Sequence, residues 1–173
     1  PFLLRPDAPR EARPRPDGGG ELQEPLRSYA REAGLERMRR PSFSTFSHLA
    51  LEASEYAREQ GKLDPFHRAT YRAYWEEGQD IGQTEVLQRL AQETGLDWEE
   101  LRPRLEQRHY QPQVLAHYQQ ALTLGIQGIP AFLIGRYFIS GAQPYPLFQQ
   151  VMARVLEEGE TNPQPPDPSS STS

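Results

Sequence analysis

The sequence predicts an α/β protein in which a block of helices leads into a short β-hairpin and a last helix. Three observations carry that prediction. From residue 44 to residue 125 apolar side chains recur at helical spacing, punctuated by Gly61, Gly78, Gly95 and Gly125. Two short β-rich runs, Ala131 to Ile134 and Tyr137 to Ile139, flank Gly135-Arg136, a two-residue connection with glycine first, which is a hairpin signal. A lone hairpin is marginal in water, so these strands require further sheet, which argues against a pure helical bundle.

Taken in order, Phe2-Leu3-Leu4-Arg5-Pro6 reads as the end of a strand leaving a core. Residues 6–20 are rich in proline and arginine and close on Gly18-Gly19-Gly20, which predicts a mobile loop with the glycine run as a flexible linker. A short helix is expected from about Glu21 to Ala33, with Leu22, Leu26, Tyr29 and Ala30 on one face, Gly34 as its stop, and Pro25 weakening only its first turn. From Ser44 to Gln60, Leu49, Ala50, Ala53, Tyr56 and Ala57 form an amphipathic stripe that ends at Gly61. Asp64-Pro65 is a cap followed by a first-turn proline, and Phe66, Ala69, Tyr74 and Trp75 follow before Gly78. Thr84 is the expected cap of a third helix carrying Val86, Leu87, Leu90 and Ala91. Asp97-Trp98-Glu99-Glu100 opens a fourth with acids in its first turn, which Pro103 keeps short or kinked. A fifth runs from about Pro112 through Val114, Leu115, Tyr118, Ala121 and Leu122. Pro130 restricts Ile129 to extended geometry and belongs at a strand start, and an X-Pro bond is where a cis peptide becomes accessible. The last helix is expected at Pro146 to Leu156. The expected organisation is therefore a strand end and loop over 1–20, a helical domain over 21–125, a ββα segment over 126–157 and a disordered tail over 158–173.

Composition narrows the function. At 173 residues and 36% hydrophobic content the chain builds one moderate core. No apolar run approaches the roughly 20 residues of a membrane span and no charged-then-apolar leader opens the chain, so a cytoplasmic protein without a membrane partner is expected. A net charge of −5 argues against a nucleic-acid partner, although Arg13, Arg15, Arg37, Arg39 and Arg40 form small basic clusters. No metal site is expected: His109 and His117 are not i, i+4 neighbours and have no carboxylate at ligand spacing, while His67 and His48 read as helix-start residues. Ser44, Thr45 and Ser47 read as helix caps rather than nucleophiles. Neither a G-x-S-x-G elbow, a Walker loop nor a G-x-G-x-x-G occurs. Tyr71, Tyr74 and Trp75 lie at helical spacing and are expected in the core, the sharper alternative being a substrate groove. Nothing in the sequence signals an oligomeric state.

The string Gly125-Ile126-Gln127-Gly128-Ile129-Pro130-Ala131-Phe132, followed by Ser140-Gly141-Ala142-Gln143-Pro144, resembles the carboxy-terminal half of DsbA-like thioredoxin-fold proteins, specifically the FrnE-like branch. Ala131 stands where that branch usually has threonine or serine. The likeness continues through Leu51-Glu52-Ala53, Tyr56-Ala57, Gly61-Lys62, Phe66-His67, Ala73-Tyr74, Glu77 to Gly82 and Gly95-Leu96-Asp97, and so covers roughly residues 1–157. The resemblance implies a thioredoxin-like α/β fold, a mixed sheet with a large inserted helical domain, in a bacterial protein that exchanges disulfides with protein or small thiol substrates. It also implies a cis bond before Pro130 and a substrate-binding loop at Gly128, Ile129 and Pro130. The family's catalytic C-x-x-C lies in a first β-α unit. This chain has no cysteine, so no catalytic residue is expected within it, and the beginning of the protein looks missing. No cofactor is expected for the oxidoreductase. Glutathione enters under an alternative, the 2-hydroxychromene-2-carboxylate isomerases, which share the fold; a third reading is a non-catalytic peptide-binding or chaperone module.

Overall fold

A computed structural model describes Leu3 and residues 6–161. The strand expected at the very start lies outside the described residues except for Leu3, as does the expected tail beyond Thr161. The chain divides into two compact units, Pro1–Thr123 and Leu124–Ser173.

In the first unit, β1 (Arg13–Pro14), α1 (Leu26–Glu32) and β2 (Phe43–Ser44) precede five consecutive helices, α2 (His48–Glu59), α3 (Leu63–Trp75), α4 (Thr84–Glu93), α5 (Trp98–Glu106) and α6 (Gln111–Thr123). Their core is built by the expected spacing. Ala50, Ala53 and Ala57 give α2 a small-residue face that lets α3 approach, and Phe66, Ala69 and Ala73 fill that face from the other side. Leu87, Leu90 and Ala91 of α4 and Trp98, Leu101 and Leu105 of α5 complete it. Gly61 ends α2 at φ 66°, a left-handed value that costs other residues, and the Lys62 N–H returns to the Ala57 carbonyl at 2.7 Å. Tyr74 and Trp75 pack in or against this core as expected, but Tyr71 points outward.

The helix starts depart from the sequence expectation more than the helix faces do. Asp97 does cap α5, its side chain accepting from the N–H groups of Glu99 and Glu100 at 2.9 and 3.2 Å. Asp97→Ala is therefore expected to cost about 1 kcal/mol. A fall in urea midpoint at constant slope, read by tryptophan fluorescence, would register that cost; both tryptophans, Trp75 and Trp98, lie in this unit. Asp64, by contrast, lies inside the first turn of α3 and pairs with Arg68 at 2.9 Å. Thr84 is the first residue of α4 rather than its cap. The helix expected from Glu21 begins at Leu26, because a residue before proline is pushed out of helical geometry and Pro25 takes the cap position.

The region expected as loop over 6–20 is paired. Arg13 lies opposite Ser44 and Pro14 opposite Phe43 in an antiparallel ladder, and Gly20 and Arg40 exchange two backbone hydrogen bonds of 2.7 Å. A side chain on Gly19 would stand 2.5 Å from the Arg40 carbonyl oxygen, so this glycine serves a close backbone approach. The helix expected from Ser44 starts at His48 for the same reason: residues 43–44 are in the ladder.

In the second unit, β3 (Ala131–Ile134) and β4 (Tyr137–Ser140) pair antiparallel, with Phe132 opposite Ile139 and Leu133 opposite Phe138. Gly135 turns the hairpin at φ 59° and lies so close to α7 (Tyr145–Thr161) that a Cβ would stand 3.0 Å from Val155. Phe148 meets Phe132 edge-on at 4.8 Å, so α7 covers the Phe132–Ile139 face. That helix runs past the expected end at Leu156 to Thr161; Glu158 accepts from Tyr137 and Arg136 at 2.6 and 2.7 Å, a tertiary contact that composition does not show. No described helix is long and apolar enough to cross a membrane.

Candidate functional site

Gly128, Ile129 and Pro130 form the bend that delivers the chain into β3. The Ile129–Pro130 peptide bond is cis. The Pro130 carbonyl accepts from the Gly141 N–H at 2.9 Å, and the Gln143 amide donates to the Ser140 carbonyl at 2.9 Å. The Ser140-to-Gln143 string thus secures the bend from the β4 side. The opposite side is open. Among the described residues the backbone groups of Gly128 and Ile129 have no backbone partner, and β3 pairs only with β4. A Cβ on Gly128 would meet nothing within 4 Å.

Side chains around the bend are apolar and outward. Ile129 is 57% exposed, and Leu133 (56%) and Phe138 (48%) stand opposite each other on the hairpin face turned away from α7. Residues 124–135 and 137–153 contain no charged side chain, and Arg136, at the far end of the hairpin, is engaged by Glu158. An edge in that state has the geometry to take a further strand by backbone pairing, from elsewhere in the protein or from an extended partner. It offers no thiol. The chain has no cysteine, and among the described residues no group of three or more His, Asp or Glu side chains could hold a metal.

A second concentration of chemistry was missed by sequence reasoning. Glu52 and Glu55 of α2 are 1% and 0% exposed, and with Glu59 they form a stripe that faces the start of α6. Arg108, in the turn before α6, places Nε and Nη2 each 2.7 Å from Glu52 Oε1. Gln113 donates to Glu55 Oε2 at 3.0 Å, Arg58 lies 3.3 Å from the same oxygen, and His117 Nδ1 lies 3.4 Å from Glu55 Oε1. The Tyr110 hydroxyl donates to Glu59 at 2.5 Å. Burial raises the Glu52 carboxyl above its ordinary range, against the pull of Arg108. Burial, with the bond to Glu59, pushes the Tyr110 phenol up to about 12. His48, read as a helix-start residue, is buried and stacked on Phe46 at 4.3 Å. Thr45 does not cap α2: its hydroxyl donates to the Asp80 carboxylate. His67 is half-buried, which lowers its pKa, while His109 is exposed. The Glu52, Glu55, Glu59 spacing was the available signal, but charged residues are so rarely buried that it reads as a solvated face.

A family model for the DSBA-like thioredoxin domain matches residues 1–153. The uncharacterized protein YwbO of Bacillus subtilis (strain 168) is 31% identical over 161 residues, which are 88% of this chain and 78% of that protein. The crystal structure of a probable DsbA oxidoreductase from Streptomyces coelicolor superposes with a TM-score of 0.71 at 30% identity, covering 81% of this chain and 60% of that one. The chain thus spans under two thirds of the length of that solved relative.

Proposed function

Because this chain belongs to the DsbA-like thioredoxin family, we propose that it works in FrnE-like thiol–disulfide exchange by holding an extended, apolar polypeptide segment against Gly128, Ile129 and the open edge of β3. Its fold is the helix-rich α/β fold of thioredoxin type with small antiparallel sheets. The observation that carries the proposal is the Gly128-Ile129-Pro130 bend, whose backbone is unpaired on one side and flanked by exposed apolar side chains. In the exchange, a thiolate sulfur attacks one sulfur of a disulfide, a mixed disulfide forms, and the other sulfur leaves as a thiolate that takes up a proton. With no cysteine among 173 residues, the reacting sulfurs belong to other molecules or to residues outside this sequence. The partners are thiol- or disulfide-bearing proteins, and the proposed setting is the cytoplasm, where thiols stay reduced.

The cysteine-free sequence supports a second reading, a peptide-holding module without redox chemistry, which uses the same surface. Glutathione is a poorer fit. It carries two carboxylates, and residues 124–135 and 137–153 around the Pro130 bend bring no cation to pair with them.

Titrating the isotopically labelled chain with an unfolded, S-carboxymethylated polypeptide tests the reading by NMR. The amides of Gly128, Ile129, Ala131 and Leu133 are expected to shift, and Leu133→Lys with Phe138→Lys to weaken binding about tenfold, roughly 1.4 kcal/mol. Shifts confined to other residues, or tighter binding of glutathione than of polypeptide, would overturn it. Transfer of disulfides by a thiol-bearing form of the protein then separates exchange from holding alone.

A further inference from the structure

The short helix α1 buries a single residue, Ala30, and one side of it borders a cleft. The chain before the helix supplies Leu22, which is buried. After the helix, Gly34 turns the chain back at φ 72°, and the Leu35 N–H returns to the Ala30 carbonyl at 2.7 Å. Residues 35–39 form the opposite wall. The Arg39 N–H fixes that wall on the Trp75 carbonyl at 2.7 Å, and the Arg39 guanidinium donates to the Glu36 and Met38 carbonyls at 2.6 and 2.9 Å. The space between is about 370 Å³, its open mouth included, at the lower end of the range for small-ligand sites. Leu22, Ala30, Leu35 and Met38 make its floor and walls apolar.

The rim is charged. Arg27 pairs with Glu24 at 3.1 Å and Arg39 with Glu21 at 3.0 Å, each through half-exposed side chains. Arg31 is exposed and, among the described residues, has no acid against it. It also lies one turn from Arg27 on α1, where like charges repel, so the helix face on the cleft carries a strain that an anion relieves. Exposed pairs such as Arg27 with Glu24 are weak, and their guanidinium groups turn readily to a new partner.

We propose that this cleft binds a small apolar carboxylate, with its hydrocarbon part on Leu22, Ala30, Leu35 and Met38 and its carboxylate on Arg31, next to Arg27. The lining selects that class. Three arginines against two glutamates favour one negative charge, and Glu36 on the facing wall opposes a second, which sets a monoanion apart from a phosphate dianion. A guanidinium meets a carboxylate through two parallel N–H donors, while the four apolar side chains offer no strong hydrogen-bonding group and take hydrocarbon. A free apolar acid and the end of a polypeptide whose last residue is apolar share this chemistry. The cleft lies in the first unit and uses no residue of the Gly128-to-Pro130 bend, so it stands apart from the disulfide-exchange reading.

Titrating the isotopically labelled whole chain with N-acetyl-leucine and with N-acetyl-leucinamide, which differ only in the carboxylate, tests the site by NMR. The amides of Ala30, Arg31, Leu35 and Met38 are expected to shift with the acid, and the amide ligand to bind about tenfold more weakly. Arg31→Gln is expected to weaken the acid about tenfold and to leave the amide ligand unchanged. Because Arg31 is exposed and holds no acid, this variant is expected to keep the spectrum of α2 to α6. Acetate, which lacks the hydrocarbon, is expected to shift nothing at the same concentration. A peptide ending in leucine with a free carboxyl group separates the sources: shifts at the same amides assign the cleft to polypeptide ends, and binding of N-acetyl-leucine alone assigns it to free acids. Equal affinity for acid and amide would overturn the proposal. So would undiminished acid binding by Arg31→Gln, or shifts that are absent or confined to other residues at about 10 mM acid.

Discussion

Arg108→Ala is expected to destabilise the first unit by about 3 kcal/mol at neutral pH, at the lower end of the range for breaking a buried ion pair because the arginine is partly exposed. The loss comes from what is left behind. Glu52 is 1% exposed and, without Arg108, would either hold a poorly compensated charge or take up a proton, each at a cost in the fold, whereas Arg108 would have been partly hydrated already. Urea denaturation followed by tryptophan fluorescence measures the effect, and Arg108→Ala with Glu52→Gln should recover most of it, since removing both charges removes the uncompensated one. The same substitution should cost less at about pH 5, where Glu52 is more often protonated. A loss below about 1 kcal/mol at neutral pH would show that Glu52 is already uncharged in the fold.

Phe66→Ala is the second large effect, expected at about 3–5 kcal/mol. Phe66 is fully buried where α3 starts, in the core cluster that α3 shares with Ala50, Ala53 and Ala57 of α2 and Leu87 and Leu90 of α4. Truncation there removes a ring from a packed core, which relaxes only in part. Phe132, partly exposed on the hairpin, offers a comparison within one protein: the same truncation there removes contact with Phe148 but leaves no enclosed void. Equal losses at the two positions would contradict the burial described for Phe66.

The helical core and the hairpin were legible in the sequence because both are written in periodicities. Alanines and leucines at helical spacing gave α2 through α5, and Gly135-Arg136 between β-rich runs gave β3 and β4 with their turn. The β1–β2 ladder was not legible, because its pairing is made by backbone and close glycine approach, neither of which leaves an apolar pattern. The end of α7 was misplaced for a related reason, since a contact between Glu158 and Tyr137 extends a helix whose local composition reads as tail. For the candidate site, a recognisable string marks Gly128, Ile129 and Pro130, and the chain bends there with a cis Ile129–Pro130 bond. The buried glutamates of α2 escaped notice because charge near an apolar stripe ordinarily means solvent.

Among the described residues β3 pairs with β4 alone, and an edge in that state bears on how copies of this chain meet. A short, uncharged strand with bare backbone groups is a template for any second chain, and nothing in residues 124–135 repels a copy locally. Colloidal stability therefore rests on the chain's net charge of −5, which disappears as carboxylates protonate. Mild acid therefore removes the repulsion that keeps hairpin from hairpin. Self-association through the hairpin is therefore expected to rise as the pH falls toward the sequence pI of about 5.4, and light scattering across that range would register it.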